Sequence, residues 1–379
     1  MKLNLKSLNF LYVFSFFSNM FAGMLGLALP LFALSLGAGN VALGTFGTTA
    51  SLVYIIAVPF SGWLADRVPK NLQAGAGVAL FGAALCLIPF VTRLNRLYPM
   101  VVCYVIGLAL LWPSLESALG RFASGRALAR SSGWYNVSWS SGATLGYLLS
   151  GFIYERSPSL VFWSAGGLAV FFGVMFSLFF RAPDHKDDSI GATDSGPIHM
   201  LYISWFLNGT IYFVLNTIRF IFPKLAEDLG MSSANLGWLL LFLSLSQCLL
   251  LLLMNLTAIW HFKFWPMALA MLAAAAGLVV VTFSHRMPGF ALGFFLIGAA
   301  AGVTYSGSLY YAVSLEKSMA GSRSGWHEFY LGFGGFSGPL IGGILAQYLG
   351  PKTPYSVSAG LVLLMLLAMA FYFRAKSRG

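Results

Sequence analysis

Charged side chains inside long apolar runs come first, because a charge in hydrocarbon is costly and is kept where it works. Glu116 lies in the apolar run 98–120, and His327 and Glu328 open the run 322–348. Arg219 lies in the run 199–222, four residues before Pro223. Imidazole titrates near neutrality, and a desolvated carboxylate holds a proton more readily than one in water. Glu328, His327 and Glu116 therefore have the chemistry to load and release a proton. A local reading stands beside each. Glu328 in a first helical turn is favoured by the helix dipole and is placed to pair with Arg130; Glu116 has Arg121 and Arg126 nearby. Arg219 either attracts an anionic solute or snorkels to the membrane interface.

Uncharged polar groups narrow the chemistry. An amide in hydrocarbon needs a hydrogen-bond partner, so Asn19, Asn216 and Gln247 are expected to face an interior. Intramembrane enzymes need clustered catalytic sets, such as paired Asp-rich motifs or His and Glu at metal spacing. His327-Glu328 has no His four residues on. Cys86, Cys103 and Cys248 sit singly in apolar runs and read as small hydrophobes. No enzyme activity, metal or cofactor is expected.

The elements that must carry these residues follow from composition. Of 379 residues, 58% are hydrophobic and 9% charged, and the mean hydropathy is +0.80. Soluble domains carry about 25% charged residues, so this chain cannot cover a water-facing surface. A span needs about 20 apolar residues to cross roughly 30 Å of hydrocarbon. Twelve runs meet that length, at 9–36, 41–64, 72–91, 98–120, 131–154, 159–180, 199–222, 233–257, 264–283, 288–314, 322–348 and 354–373. The first is longer than a signal-peptide core of roughly 7–15 residues and reads as a helix that stays. The net charge of +11 lies in short gaps between runs, which marks orientation and not nucleic-acid binding. Fifteen Lys and Arg fall on the side of both termini and six on the other, so both termini are expected in the cytoplasm of a bacterial inner membrane.

The chain also repeats itself. Ser132-Gly133-Trp134 recurs as Ser324-Gly325-Trp326, and Gly142, Gly146 and Gly151 recur as Gly334, Gly338 and Gly343, all at an offset of 192. Pro30, Leu36-Gly37 and Leu43-Gly44 recur as Pro223, Leu229-Gly230 and Leu236-Gly237 at an offset of 193. The organisation expected is a bundle over 1–180, a polar cytoplasmic linker over 181–198 and a second bundle over 199–379. Glycines four apart let backbones approach, so Gly142, Gly146, Gly334, Gly338 and Gly342 read as helix-packing positions, with Pro339 permitting a kink.

Between the second and third runs stands Gly62-Trp63-Leu64-Ala65-Asp66-Arg67-Val68-Pro69-Lys70. It resembles the cytoplasmic signature of the major facilitator superfamily, departing at Pro69 where that family has Gly. With the span count and the repeat, the resemblance covers the whole chain. It implies an all-α membrane protein of twelve transmembrane helices in two pseudo-symmetric six-helix bundles, moving a solute by alternating access. It further implies that Asp66 belongs to a conformational latch with Gly62, Arg67, Lys70 and Arg121. Gly334-Gly335-Phe336-Ser337-Gly338-Pro339-Leu340-Ile341-Gly342-Gly343 is similar to a pattern of the superfamily's drug:proton antiporters, although there it lies on the fifth span. Solute sites in such folds lie near the midplane. Asn19, Trp112, Trp139, Asn216, Arg219, Gln247 and Tyr305 are placed to line one, and Glu328, His327 and Glu116 are proton-coupling candidates. The sparse polar lining points to a moderately hydrophobic or weakly polar organic solute; titratable groups within spans point to a proton drive, and export by a monomer is what the resemblance implies. An uptake symporter or uniporter of an organic anion or nutrient, and a membrane sensor or scaffold without flux, stand as alternatives.

Overall fold

The computed structural model describes residues 5–65, 67–119, 121–122, 125–181, 196–315 and 320–377. Among them the chain forms twelve α-helices: α1 (Leu5–Ser35), α2 (Asn40–Ala65), α3 (Lys70–Leu87), α4 (Leu97–Leu119), α5 (Gly125–Arg156), α6 (Pro158–Phe179), α7 (Ile198–Asp228), α8 (Ser233–Leu256), α9 (Phe264–Phe283), α10 (Met287–Ser314), α11 (Ala320–Leu349) and α12 (Thr353–Ser377). Helices are forced here, since backbone amides in a bilayer have no water and must bond within their own segment. Eleven of the helices are long and apolar enough to span a membrane; α5 falls outside that set. Its stretch Ser131–Ser150 is rich in Ser and Gly, and the packing below shows why.

The expected runs and the helices agree to within a few residues except at two ends: α5 starts at Gly125, six residues before the expected 131, and α7 runs past its expected end. The run 199–222 stops at Phe222, yet α7 continues to Asp228. Lys224 bonds Glu227 at 2.8 Å and Asp228 at 2.9 Å, so a charged last turn follows Pro223. Pairs at i,i+3 and i,i+4 support such a turn once it reaches water.

Two compact units emerge. The first comprises Met1–Ala38, Thr49–Ala192 and Ser232–Gly237. Within it α1 lies along α5, and α3 along α6 and α4. An apolar knot of Phe10, Phe14, Phe176 and Phe180 joins α1 to the end of α6, with Phe14 and Phe176 stacked at 3.8 Å. The unit also holds the start of α8, where Ser233 Oγ donates to the Gly151 carbonyl at 3.1 Å. Beside it the Ala234 amide donates to the Glu155 carboxylate at 3.1 Å. The Ser232 hydroxyl and this amide hold the Glu155 carboxyl below the usual carboxylate range.

The second unit comprises Gly39–Thr48, Thr193–Met231 and Trp238–Gly379. Its pairings repeat the first: α7 lies along α11, and α9 along α12 and α10. Thr48 Oγ1 donates to the Phe336 carbonyl at 2.9 Å, seating the start of α2 on α11 inside this unit. The repeat reaches the backbone. Gly37 and Gly230 end α1 and α7 with φ of 86° and 67°, a left-handed turn that favours glycine. The bonds around them match, from Ala38 N to Ala33 O and from Met231 N to Ala226 O.

Candidate functional site

The glycine ladders set the spacing of both principal seams. A Cβ on Gly142 or Gly146 would collide with the carbonyls of Phe16 and Met20, so α5 rides directly on the α1 backbone. On α11, a Cβ on Gly334 or Gly338 would collide with the Gly209 and Phe213 carbonyls of α7, and one on Gly342 would lie 2.8 Å from Thr217 Cγ2. Pro339 lies inside α11 beside Gly338.

In the first unit this closeness lets polar side chains reach across. Asn19 Nδ2 donates to the Trp139 carbonyl at 2.7 Å, Ser138 Oγ to the Tyr12 carbonyl at 2.6 Å, and Ser150 Oγ to the Met24 carbonyl at 2.8 Å. Tyr12 donates to the Ser131 carbonyl at 3.2 Å. The indole N–H of Trp139 donates to Asn136 Oδ1 at 3.1 Å. Thus the polar face of α5 is turned onto α1. A cavity of about 410 Å³ opens beside these contacts, lined by Asn9, Tyr12, Trp134, Val137 and Ser138.

The second unit holds a different arrangement at the same place. On α7, Trp205, Asn208 and Tyr212 recur at helical spacing and share a face. Trp205 stacks on Tyr330 of α11 at 5.8 Å, and Tyr212 on Tyr305 of α10 at 6.3 Å. Tyr305 in turn meets the edge of His327 at 5.3 Å. His327 is 1% exposed; its Nδ1 lies 2.6 Å from Ser308 Oγ, and its Nε2 lies 4.0 Å from Glu328 Oε1 without a hydrogen-bond partner. Asn208, bracketed by the two aromatic contacts, is wholly buried with neither amide atom bonded. The Trp205 indole N–H is also unbonded. Further along α7, Asn216 bonds back to the Tyr212 carbonyl at 2.9 Å, and Arg219 Nε is buried and unbonded. Tyr212 lies within electrostatic reach of both Arg219 and Glu328. A buried polar atom without a partner costs free energy, and this cluster gathers several of them around α7.

Two comparisons bear on the family. The profile of the Major Facilitator Superfamily matches residues 11–204 and again 201–379. The chain belongs to that superfamily. Quinolone resistance protein NorA of Staphylococcus aureus is 24% identical over 198 residues, 51% of this chain and 51% of the relative. The chain thus spans about half the length of the curated relatives it matches. Among solved structures, the fold is similar to that of the nucleoside transporter NupG, with a TM-score of 0.74, 13% identity and coverage of 97% of this chain and 100% of that one. It is also similar to the human organic anion transporter MFSD10, with a TM-score of 0.69, 14% identity and coverage of 96% and 98%. At these identities the likeness is one of fold, and that fold is the facilitator fold expected from the sequence.

The remaining residues of the facilitator reading fall as follows. Asp66, the centre of the signature loop, lies outside the described residues. Of its neighbours, Arg67 stacks on Trp63 with its guanidinium carbon 4.0 Å from the ring and donates to the Trp63 carbonyl at 3.2 Å. Lys70 is buried at the start of α3, Arg121 is half-buried, and Gly62 faces open space. Gln73, which the motif does not include, ties α3 to α2 by donating to the carbonyl and hydroxyl of Ser61, both at 2.9 Å. Glu116 is exposed on α4, Trp112 is half-buried, and Gln247 is buried on α8 with its backbone against Gly302. Thus the structure brings together Tyr305, His327 and Glu328, and separately Asn19 and Trp139. Among the described residues, no group of three or more His, Cys, Asp or Glu is placed to hold a metal ion.

Proposed function

We propose that this chain is a proton-coupled, alternating-access exporter of a moderately hydrophobic organic solute, working as a monomer in a bacterial inner membrane with both termini in the cytoplasm. The carrying observation is the buried imidazole of His327, with one nitrogen against Ser308 and the other facing Glu328. Proton-driven export needs a group that exists in two protonation states inside the membrane, and this pair supplies it. NorA, by its name a quinolone resistance protein, lends support to a drug-like cargo. In this reading residues 1–180 and 199–379 are the two moving bundles and 181–198 their linker. Asp66, with Gly62, Arg67, Lys70 and Arg121, is the latch that one state makes and the other breaks. The chain itself performs no chemical conversion.

The test is export of a fluorescent quinolone by everted membrane vesicles with an imposed pH gradient. Wild type should accumulate the dye and lose it when the gradient is collapsed. Glu328→Gln should retain dye exchange but not respond to the gradient. An unchanged gradient response would reject Glu328 as the coupling group.

A second reading, an organic anion as cargo, rests on Arg219. Its buried, unbonded Nε, within electrostatic reach of Tyr212, is suited to a carboxylate. MFSD10, an organic anion transporter by description, has the same fold. Arg219→Gln separates the two cargoes, since it should abolish anion flux and spare a neutral or cationic dye.

A further inference from the structure

We infer that Ser308 is the positioning residue of a two-group proton site, fixing His327 so that its Nε2–H is aimed at Glu328. The inference rests on the proton-coupled reading above and adds to it the residue that sets the geometry.

Hydroxyls on α10 show how unusual Ser308 is. Thr304 and Ser306 bond back to carbonyls four residues earlier on their own helix, at 3.0 Å and 2.8 Å. Ser308 instead reaches across to α11 and meets His327 Nδ1 at 2.6 Å. Both side chains are sealed, Ser308 at 0% and His327 at 1% exposure, so no bulk water competes for this bond. The edge contact with Tyr305 keeps the ring from swinging away. With Nδ1 pinned, Nε2 stands 4.0 Å from Glu328 Oε1.

Two hydrogen placements satisfy the short bond. Either the serine hydroxyl donates to a bare Nδ1, leaving the hydrogen on Nε2, or Nδ1–H donates to the hydroxyl, leaving a lone pair on Nε2. The first turns a donor toward the carboxylate and the second turns a lone pair toward it. Electrostatics selects the first while Glu328 is ionised. In that state the pair carries a charge of −1. One proton taken from water brings it to zero, and the same proton is returned to water when access changes. A hydroxyl can donate to the neutral ring or accept from the imidazolium, so Ser308 serves both states. The other titratable groups facing this pair are Tyr212 of α7, with Arg219 near it, and Tyr305 of α10; on α11 itself Tyr330 stacks on Trp205 and Arg323 donates to the Leu315 carbonyl. Tyr355 of α12 lies against Phe222 instead, and Gly39–Thr48 carries no titratable side chain.

The experiment uses the full chain labelled with nitrogen-15 in its histidine rings, with the His327 signal assigned by its loss in His327→Gln. Wild type should show a hydrogen-bearing Nε2 and a bare Nδ1. Ser308→Ala, which removes only an oxygen, should reduce that preference about five-fold, the worth of one ordinary hydrogen bond. Ser308→Thr keeps the hydroxyl and should restore it. A hydrogen on Nδ1 in the wild type, or an identical spectrum in Ser308→Ala, would overturn the inference. Quinolone export by everted vesicles supplies the second readout, where Ser308→Ala should displace the pH profile and leave KM unchanged. If no quinolone moves, the functional proposal fails while the ring spectrum still decides the role of Ser308.

Discussion

The seam between α1 and α5 and the seam between α7 and α11 share one glycine ladder but use their polar groups in opposite ways. In the first, Asn19, Ser138, Ser150 and Tyr12 bond across the helix pair, and the buried atoms left over there include the hydroxyls of Ser15, Ser18 and Ser140. In the second, Thr210, Asn216 and Thr217 bond back to their own helix, and an amide, an indole N–H, an imidazole nitrogen and the Arg219 Nε are left unbonded. An unbonded hydroxyl leaves one donor unmet; the Asn208 amide leaves two donors and a carbonyl acceptor unmet. The first seam therefore reads as a clamp and the second as a place that has kept polar capacity for something else.

The comparison can be broken at several points. The largest effect belongs to the ladders. Gly142→Val and Gly338→Val each force a branched side chain into a backbone carbonyl, and each should cost about 3 kcal/mol or prevent folding. Thermal unfolding of the purified protein reads this, and a silent variant on either side would show that the two seams are not equivalent. Next come the two asparagines. Asn19→Leu should lose about 1 kcal/mol, the usual worth of an interhelical hydrogen bond in a membrane. Asn208→Leu should be neutral or stabilising, because it removes an unmet amide, while reducing quinolone export. A loss of stability in Asn208→Leu equal to that in Asn19→Leu would erase the distinction.

The smallest effect lies at the start of α8. Glu155 is held below the ordinary carboxylate range by Ser232 and the Ala234 amide. A depressed value means that its contribution is present above the ordinary range and fades as the pH falls through the value in the fold. Unfolding followed from neutral pH into the acid range should therefore drop more steeply in wild type than in Glu155→Ala. Parallel curves would remove Glu155 from any role in holding that contact.

Most of the fold is legible in the residue string because the bilayer allows so few solutions. Apolar length sets the helices, and the charges between them set the breaks. Even the ladders show, since Gly142 with Gly146 and Gly334 with Gly338 stand at the spacing that exposes backbone. The extra turn of α7 was written in Lys224, Glu227 and Asp228, a local charge pattern that hydropathy ignores. The site was only half legible. His327, Glu328 and Tyr305 stand out by type, and the structure gathers them. Ser308 and Asn208 do not, because a serine or asparagine in a span is informative only once its neighbours are known. Most such hydroxyls bond back to their own helix, as Thr304 does. Nothing in sequence separates Ser308 from Ser306 except the helix it happens to face.

The matched left-handed turns at Gly37 and Gly230 carry a lesson about descent. Two stretches 193 residues apart keep Pro30 as Pro223, Leu36-Gly37 as Leu229-Gly230 and Leu43-Gly44 as Leu236-Gly237 while most other positions between them differ, and each closes its opening helix with the same backbone figure. An ancestor of half this size, making one such turn, accounts for both.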